Sequence, residues 1–278
     1  MAVSTTQAQA QVQTQTVPTV VRPAGGVGLA VQDSLAVAGR NLRGMRRVPE
    51  VIVFSTIQPV MFVLMFRYVF GGAIHVPGVN YVDYLMPGIF VQTIAFGGVN
   101  TVIGLADDLN KGMIERFRSL PMARSAVLAG RTVADLVRNL GVVVLMILVG
   151  VLVGFRIHAG LPAFVAAGLL LLLFSFALSW AFALVALSVA NPEAAQAASF
   201  PPLALLVFAS SAFVPVASMP GWLQAWAKHQ PVSVMIDAIR ALVLGGPTTS
   251  HVVAAVAWAV GIIAVFAPLA VYRYRRAG

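Results

Sequence analysis

Side chains that could carry out catalysis are sparse in this chain, and the usual catalytic patterns are missing. The 278 residues include no cysteine, and the four histidines lie far apart, so neither a thiolate nor a spaced set of metal ligands is predicted. The lysines, Lys111 and Lys228, do not end a glycine-rich run, so the loop that cradles ATP phosphates is absent. Serine-nucleophile and zinc-protease motifs are absent as well. We therefore expect that this chain is not an enzyme.

Polar side chains within apolar stretches could instead contact a passing molecule. The amides Gln58, Gln92 and Asn100 lie in such stretches, and so do the hydroxyls of Ser175 and Ser179. Carboxylates fall toward the ends of these stretches, which disfavours a proton-coupled site at mid-membrane. Hydrogen bonds between packed helices are the simpler interpretation of these groups. The alternative is that Gln58, Gln92 and Asn100 line a substrate path.

The composition indicates that the elements holding these residues lie in a membrane. Hydrophobic residues make up 59% of the chain and charged residues 10%, and the mean hydropathy is +0.90. The formal net charge is +9, but the basic residues border apolar segments. That pattern indicates membrane topology and attraction to anionic lipid, so we expect contacts with membrane lipids and none with nucleic acid.

Six apolar segments are long enough to cross a bilayer as helices, at about 50–70, 85–106, 135–155, 161–190, 200–218 and 251–272. Basic residues concentrate before the first segment, between the second and third, and after the sixth. The positive-inside rule then places both termini and the 107–131 loop in the cytoplasm. The sequence thus predicts an all-α integral membrane protein with six transmembrane helices, multi-pass in the plasma (inner) membrane.

The region before the first span divides into two predicted parts. Residues 1–27 are rich in Gln, Thr and Ala, which is typical of a disordered cytoplasmic tail. Residues 28–48 place apolar side chains on one helical stripe, with Arg40, Arg43 and Arg47 on the opposite face. This pattern predicts a helix lying in the lipid interface, and the alternative is a basic flank with no further role.

The segment 219–247, on the outer side, is too polar to span the membrane but is strongly patterned. Pro231 can open a short helix that Gly245 ends, with one face formed by Val232, Ile236, Ile239 and Val243. Asp237 and Arg240 could pair at i, i+3 on an exposed surface. We expect a pair of short re-entrant or interfacial helices here, and both an exit gate and simple packing remain open as their role.

The stretch "KGMIERFRSLPMARSAVLAGR" (111–131) gathers charge into a mostly apolar chain. Helical spacing gives it an apolar ridge opposite a charged face, and Pro121 ends the helix; the ridge consists of Met113, Ile114, Phe117 and Leu120. A loop that only fixes the orientation of the chain in the membrane would need nothing more than basic residues. The ridge therefore predicts a surface that enters either a protein groove or the lipid interface.

These residues resemble a known family. "DLNKGMIERFRSLPMARSAVLAGR" is similar to the cytoplasmic signature of ABC-2 type exporter permeases, specifically the daunorubicin/doxorubicin-resistance permease group. Similarity extends to "YLMPGIF", "FSFALSW", "VPEVIVFSTIQPVMFVLMFRYVFGG" and "MPGWLQAWAKHQPVSVMIDAIRALVLGG", so that it covers about residues 45–275. The resemblance implies an ABC-2 type transmembrane domain over 28–278, with a coupling helix between spans two and three and short outer re-entrant helices between spans five and six.

In that family the coupling helix docks into a groove of a separate ATP-binding subunit. Carried over to this sequence, the role falls on Lys111, Glu115, Arg116, Phe117, Arg118, Ser119, Leu120, Pro121 and Arg124. The turn that holds Asn191 and Glu193 is expected to be a second, smaller cytoplasmic contact.

The function expected from the resemblance is export driven by a partner ATPase, which would bind ATP and magnesium. The substrate would be a hydrophobic or amphipathic compound such as a drug, an antibiotic or a secondary metabolite. A second copy of the chain or a paralogous permease would complete the assembly. The alternatives are an ABC-2 exporter of a polysaccharide or lipid-linked substrate and, in another class, an ion-coupled secondary transporter.

Overall fold

The computed structural model describes residues 39, 49–74, 76–110 and 124–276. Several predicted features lie outside these residues. They are the tail 1–27 and the interfacial helix predicted at 28–48, of which residue 39 is described but Arg40, Arg43 and Arg47 are not. Most of the coupling helix, residues 111–123, lies outside as well.

Helices make up the architecture of the described residues, in which no strand occurs. In chain order they are α1 (Pro49–Leu64), α2 (Tyr81–Asn110), α3 (Arg124–Leu152), α4 (Leu161–Ala186), α5 (Pro192–Phe208), α6 (Gly221–His229), α7 (Pro231–Leu244) and α8 (Thr248–Arg276). α1 continues as a π-helical turn over Met65–Phe70. The predicted all-α fold is therefore confirmed.

Four of the helices contain a segment long and apolar enough to cross a membrane, so the chain is a multi-pass membrane protein. These segments are Tyr81–Asn110, Thr132–Leu152, Leu161–Ala186 and Thr248–Tyr274. The apolar stretch Thr56–Phe70 at the first predicted span is shorter, and α5 at the fifth has 17 residues.

The fifth predicted span begins and ends earlier than the sequence suggested. It was expected at 200–218, whereas α5 runs over Pro192–Phe208. Asn191 starts the helix because its side chain accepts a hydrogen bond from the Ala194 amide at 2.8 Å, and Pro192 suits the first turn. After Phe208 the backbone turns, and the Ser210 hydroxyl bonds back to the Val207 carbonyl. The apolar residues that follow are thus packed in a turn rather than in a helix.

α2 is the central helix of the bundle. Its residues 81–95 are all buried, and it packs against α1, α3, α4, α5 and α7. A glycine at position 88 allows the turn after α5 to approach α2 closely, because a Cβ there would lie 2.8 Å from the Cα of Ala212.

α7 lies between α2, α4 and α8 and packs against each of them. The apolar face predicted for it is confirmed, since Val232, Ile236, Ile239 and Val243 are all buried. The helix begins at Pro231, as predicted, and Gly245 follows its end with a φ of 88°. Both short helices are therefore present, and α7 is a packed element of the core.

Candidate functional site

A small polar cavity lies where α1, α2 and α3 meet. Its volume is about 50 Å³, which holds a few water molecules at most. The lining residues are Gln58, Pro59, Gln92, Thr93, Phe96, Gly97, Asn100, Arg138, Asn139 and Val142. Most of the polar members are carboxamides, which both donate and accept hydrogen bonds.

The three amides that the sequence offered for a substrate path all line this cavity. Gln58 comes from α1, whereas Gln92 and Asn100 come from α2. Gln58 and Asn100 are exposed, but Gln92 is only 1% exposed and its Oε1 has no hydrogen-bond partner in the described part of the chain. The structure thus brings the three together, and their part in a substrate path stays a prediction.

Arg138 is a member of the cavity wall that was not predicted from the sequence. It lies midway along α3, within the apolar segment Thr132–Leu152. Its Nη2 donates a hydrogen bond to the Gly97 carbonyl of α2 at 2.8 Å, and its Nη1 lies 3.4 Å from Asp135 Oδ1. The i, i+3 spacing of Asp135 and Arg138 in an apolar stretch was the available signal, because a charge inside a span needs a partner.

The ion pair of Asp135 and Arg138 is secluded from solvent. The exposed fraction of the side chain is 12% for Arg138 and 4% for Asp135. The second carboxylate oxygen of Asp135 is buried and has no hydrogen-bond partner among the described residues, so the pairing with Arg138 compensates for this charge.

Asn139 connects the cavity to α4. Its Nδ2 donates a hydrogen bond to Ser175 Oγ at 2.7 Å, and both residues are buried. The hydrogen bond between helices expected for Ser175 is confirmed. Ser179 differs, because its hydroxyl donates to the Ser175 carbonyl within α4.

A row of phenylalanine rings leads away from the cavity. Phe96 lines the cavity, and its ring centroid lies 6.4 Å from that of Phe208. From Phe208 the row continues to Phe213 at 5.6 Å, then to Phe66 at 4.4 Å and Phe70 at 5.3 Å. These five residues, the phenylalanine row, join the cavity to the π-helical turn that follows α1.

Arg240 of α7 holds the end of the bundle where α2 begins. It pairs with Asp237 at 2.8 Å and donates hydrogen bonds to the backbone carbonyls of Ser211 at 2.9 Å and Tyr84 at 3.2 Å. Its guanidinium also lies 3.7 Å from the centre of the Tyr84 ring. The prediction that Asp237 and Arg240 pair on an exposed surface was therefore wrong about the surroundings of the pair. The Arg240 side chain is only 14% exposed, and its bonds hold three segments of the chain together.

Tyrosine hydroxyls complete this Arg240 network. Tyr84 donates to the Ser211 carbonyl and Tyr81 to the Phe213 carbonyl, each at 3.0 Å. These carbonyls follow the end of α5, where the helix no longer supplies partners. The network therefore fastens α7, the start of α2 and the turn after α5 to one another.

The predicted partner-binding residues fall mostly outside the described part of the chain. α2 ends at Asn110 and α3 begins at Arg124, so the two helices enclose the coupling residues 111–123 in the sequence. The side chain of Asn191 caps α5, and Glu193 is exposed in its first turn. Contact of any of these residues with a partner stays a prediction.

The chemistry of the cavity wall suits hydrogen bonding. The cavity brings together amides, one hydroxyl and an arginine, a set suited to binding by hydrogen bonds. Within the described ranges, no group of three or more histidine or acidic side chains could hold a metal ion.

The sequence matches one known protein family and several known proteins. The sequence model of the ABC-2 type transporter family matches residues 33–244. The chain is 34% identical over 246 residues to the daunorubicin resistance ABC transporter permease protein DrrB1 of Streptomyces coeruleorubidus, covering 88% of this chain and 87% of the relative.

Two further relatives are also named as permeases. The probable doxorubicin resistance ABC transporter permease protein DrrC of Mycobacterium tuberculosis is 30% identical over 252 residues, with 90% of each chain covered. The putative transport permease ycf38 of Cyanophora paradoxa is 26% identical over 216 residues, covering 76% of this chain and 74% of the relative.

Proposed function

The chain belongs to the ABC-2 type transporter family, and from this membership we propose that it is the membrane half of an ATP-driven exporter. A separate ATPase subunit would bind ATP and magnesium, while this chain would supply the path and no catalysis. A second copy or a paralogous permease would complete the assembly. In this arrangement α1 and α5 complete six spans, and both termini lie in the cytoplasm.

The observation that carries the proposal is the polar cavity inside an apolar helical bundle. Buried hydrogen-bonding groups are costly unless they serve a partner or a ligand, and Gln92 Oε1 is buried with no partner among the residues that the structure describes. The cavity adjoins the phenylalanine row through Phe96. An amphipathic substrate would place its polar head at the cavity and its apolar body along the row.

The substrate class is supported by the names of the relatives. Two of them are called resistance permeases for daunorubicin and doxorubicin. We propose a drug, antibiotic or secondary metabolite as the substrate of this chain. Drug-sized ligands need pockets of about 300 Å³ or more. Because the cavity measures about 50 Å³, the proposal requires that it widens during transport.

The link from the ATPase to the cavity would run through residues 107–131. Their apolar ridge would occupy a groove of the ATPase subunit, as the family resemblance implies. The chain then continues directly into α3, which carries Arg138 and Asn139 to the cavity wall. Movement of the coupling helix would thereby change the separation of α2 and α3 at the cavity.

Transport by the Gln92→Leu variant tests the site. The permease and its ATPase are co-reconstituted in vesicles, and ATP-driven uptake of doxorubicin is measured. Removing the buried acceptor leaves a substrate donor unpaired, so we expect uptake to fall roughly tenfold with ATPase binding unchanged. Gln224→Leu on α6 is the control and should retain uptake, because the Gln224 amide donates to the nearby Ala217 and Met219 carbonyls and lies away from the cavity. Equal uptake by the Gln92 variant and the wild type would contradict the proposed site.

A further inference from the structure

We propose that the hydrogen bond from Arg138 on α3 to the Gly97 carbonyl on α2 keeps the cavity closed, and that this bond breaks when the cavity widens for a substrate. Asp135 is the positioning residue, because it pairs with the guanidinium that makes the bond. The inference rests on the proposed function and identifies the contact of that same site that opens during transport.

The cavity can widen only if some of its walls separate. Its volume of about 50 Å³ is well below the roughly 300 Å³ that a drug-sized ligand needs. Arg138 and Gly97 both line the cavity, and Arg138 Nη2 donates to the Gly97 carbonyl at 2.8 Å. This bond joins the α3 wall to the α2 wall, so it cannot persist if the two helices move apart at the cavity.

The guanidinium of Arg138 uses a different nitrogen for each of its partners. Nη1 lies 3.4 Å from Asp135 Oδ1 on the same helix, whereas Nη2 reaches the Gly97 carbonyl on the neighbouring helix. Hydrogen bonds from a charged donor are stronger than those between neutral groups. One arm of the side chain is therefore fixed to α3, and the other holds α2.

The position of Asp135 makes breaking of this bond reversible. Asp135 and Arg138 both belong to α3, so their ion pair moves with that helix and remains when Nη2 leaves the Gly97 carbonyl. The buried guanidinium thus keeps a counterion in the open state as well as in the closed one. Opening costs one hydrogen bond rather than an unpaired buried charge.

The absence of a side chain at Gly97 allows α3 to approach α2 at this point. A Cβ at position 97 would lie 3.0 Å from Asn139 Oδ1 and 3.8 Å from Arg138 Nη2. Asn139 in turn donates to Ser175 on α4 at 2.7 Å. Two successive residues of α3 therefore hold that helix to α2 and to α4, and of these two contacts the bond to Gly97 is the one between two lining residues of the cavity.

A single cysteine in the cavity wall can report the opening, because the natural sequence contains no cysteine. Thr93 is suited to carry it, since it is buried, lines the cavity and donates its hydroxyl to the Ile89 carbonyl of its own helix. The full-length Thr93→Cys permease is placed in lipid nanodiscs, and its rate of reaction with N-ethylmaleimide, a neutral reagent too large for the closed cavity, is measured. Fast labelling then indicates a widened cavity.

The Arg138→Lys substitution tests the bond to Gly97. Lysine keeps a positive charge beside Asp135, but its single nitrogen replaces the two nitrogens that serve Asp135 and Gly97. We expect Thr93→Cys to be labelled roughly tenfold faster with Arg138→Lys than without it, because loss of a charge-assisted hydrogen bond shifts the equilibrium toward the open state. Equal labelling rates would overturn the inference, since the cavity would then open by movement of another helix, such as α1.

Two controls separate opening of the cavity from general loosening of the bundle. Ser179→Cys in α4 is a matched reporter, because Ser179 is buried, donates its hydroxyl within its own helix and is not a lining residue of the cavity. Its labelling should not change with Arg138→Lys, and equal acceleration at both reporters would count against the inference. Arg156→Lys, the same change at an exposed residue, should leave the labelling of Thr93→Cys unchanged.

Variants of Asp135 test its positioning role. Asp135→Asn removes the counterion, so the guanidinium gains from turning toward water in a widened cavity, and Thr93→Cys should be labelled faster. Asp135→Glu keeps the carboxylate and should restore slow labelling. A glutamate variant as fast as the asparagine variant would contradict the positioning role of the carboxylate.

The failures of the two proposals are distinguishable. With the ATPase and ATP added, Thr93→Cys that retains Arg138 should be labelled about as fast as the Arg138→Lys variant is without them. Acceleration by ATP together with no effect of Arg138→Lys would leave the exporter intact and overturn only the role of the Gly97 bond. Acceleration by Arg138→Lys in a chain that binds no ATPase would support the bond as the closing contact and overturn the exporter.

Discussion

At the scale of single residues, Arg240 shows how one guanidinium can hold three segments of a bundle. It bonds to Asp237, Ser211 and Tyr84, which belong to α7, to the turn after α5 and to α2. We predict that Arg240→Met lowers the free energy of unfolding by about 2 kcal/mol, since it removes several charge-assisted hydrogen bonds. Because Asp237 is about a third exposed, the charge left behind remains partly hydrated. Thermal unfolding in detergent measures the loss.

The control for this prediction is Arg67→Met, which makes the same change at an exposed residue of the π-helical turn. It should leave the melting temperature nearly unchanged. Equal effects of the two substitutions would mean that the Arg240 network contributes no particular stability.

At the scale of elements, the packing of α2 depends on Gly88. A Cβ at this position would lie 2.8 Å from Ala212 Cα, a backbone atom of a fully buried residue. We predict that Gly88→Ala destabilises the protein by about 1–3 kcal/mol through overpacking. Gly168→Ala in α4 is the matched control, because a Cβ there has nothing within 4 Å. A normal melting temperature for the Gly88 variant would contradict the close contact of α2 with residue 212.

Periodicity predicted the elements better than it predicted their ends. The buried face of α7 followed from helical spacing, and its limits followed from Pro231 and Gly245. The fifth span was placed too late because its apolar composition continues into the turn after Phe208. There, bonds to residues far away in the sequence, such as Tyr84 to Ser211, favour the turn over the helix.

The cavity could be predicted only in part from the sequence. Amides in apolar segments marked Gln58, Gln92 and Asn100, since such groups need partners. These three amides meet in one cavity because of the way α1 packs against α2. No local sequence pattern specifies that packing. Asn139 was missed for the same reason, because its partner Ser175 lies on a different helix.

At the scale of the whole molecule, the two helices that line the polar cavity are also the ones that flank the predicted docking segment in the sequence. α2 and α3 both line the cavity and enclose residues 111–123 in the sequence. This connection is what the exporter proposal needs, because force from an ATPase must reach the substrate path through rigid elements. Along α3, Asp135 lies between the coupling residues and Arg138 of the cavity wall, to which it is paired.

Binding of the ATPase subunit to the Phe117→Asp variant tests the account most directly. The permease is placed in lipid nanodiscs, and its affinity for the ATPase is measured for the wild type, for Phe117→Asp and for the conservative control Phe117→Leu. A charge buried in the docking groove should weaken binding at least about 100-fold, whereas Phe117→Leu keeps the apolar ridge and should bind nearly as the wild type. If Phe117→Asp inserts normally and binds the ATPase as tightly as the wild type, or if the wild type does not bind it, residues 111–131 do not couple this chain to an ATPase.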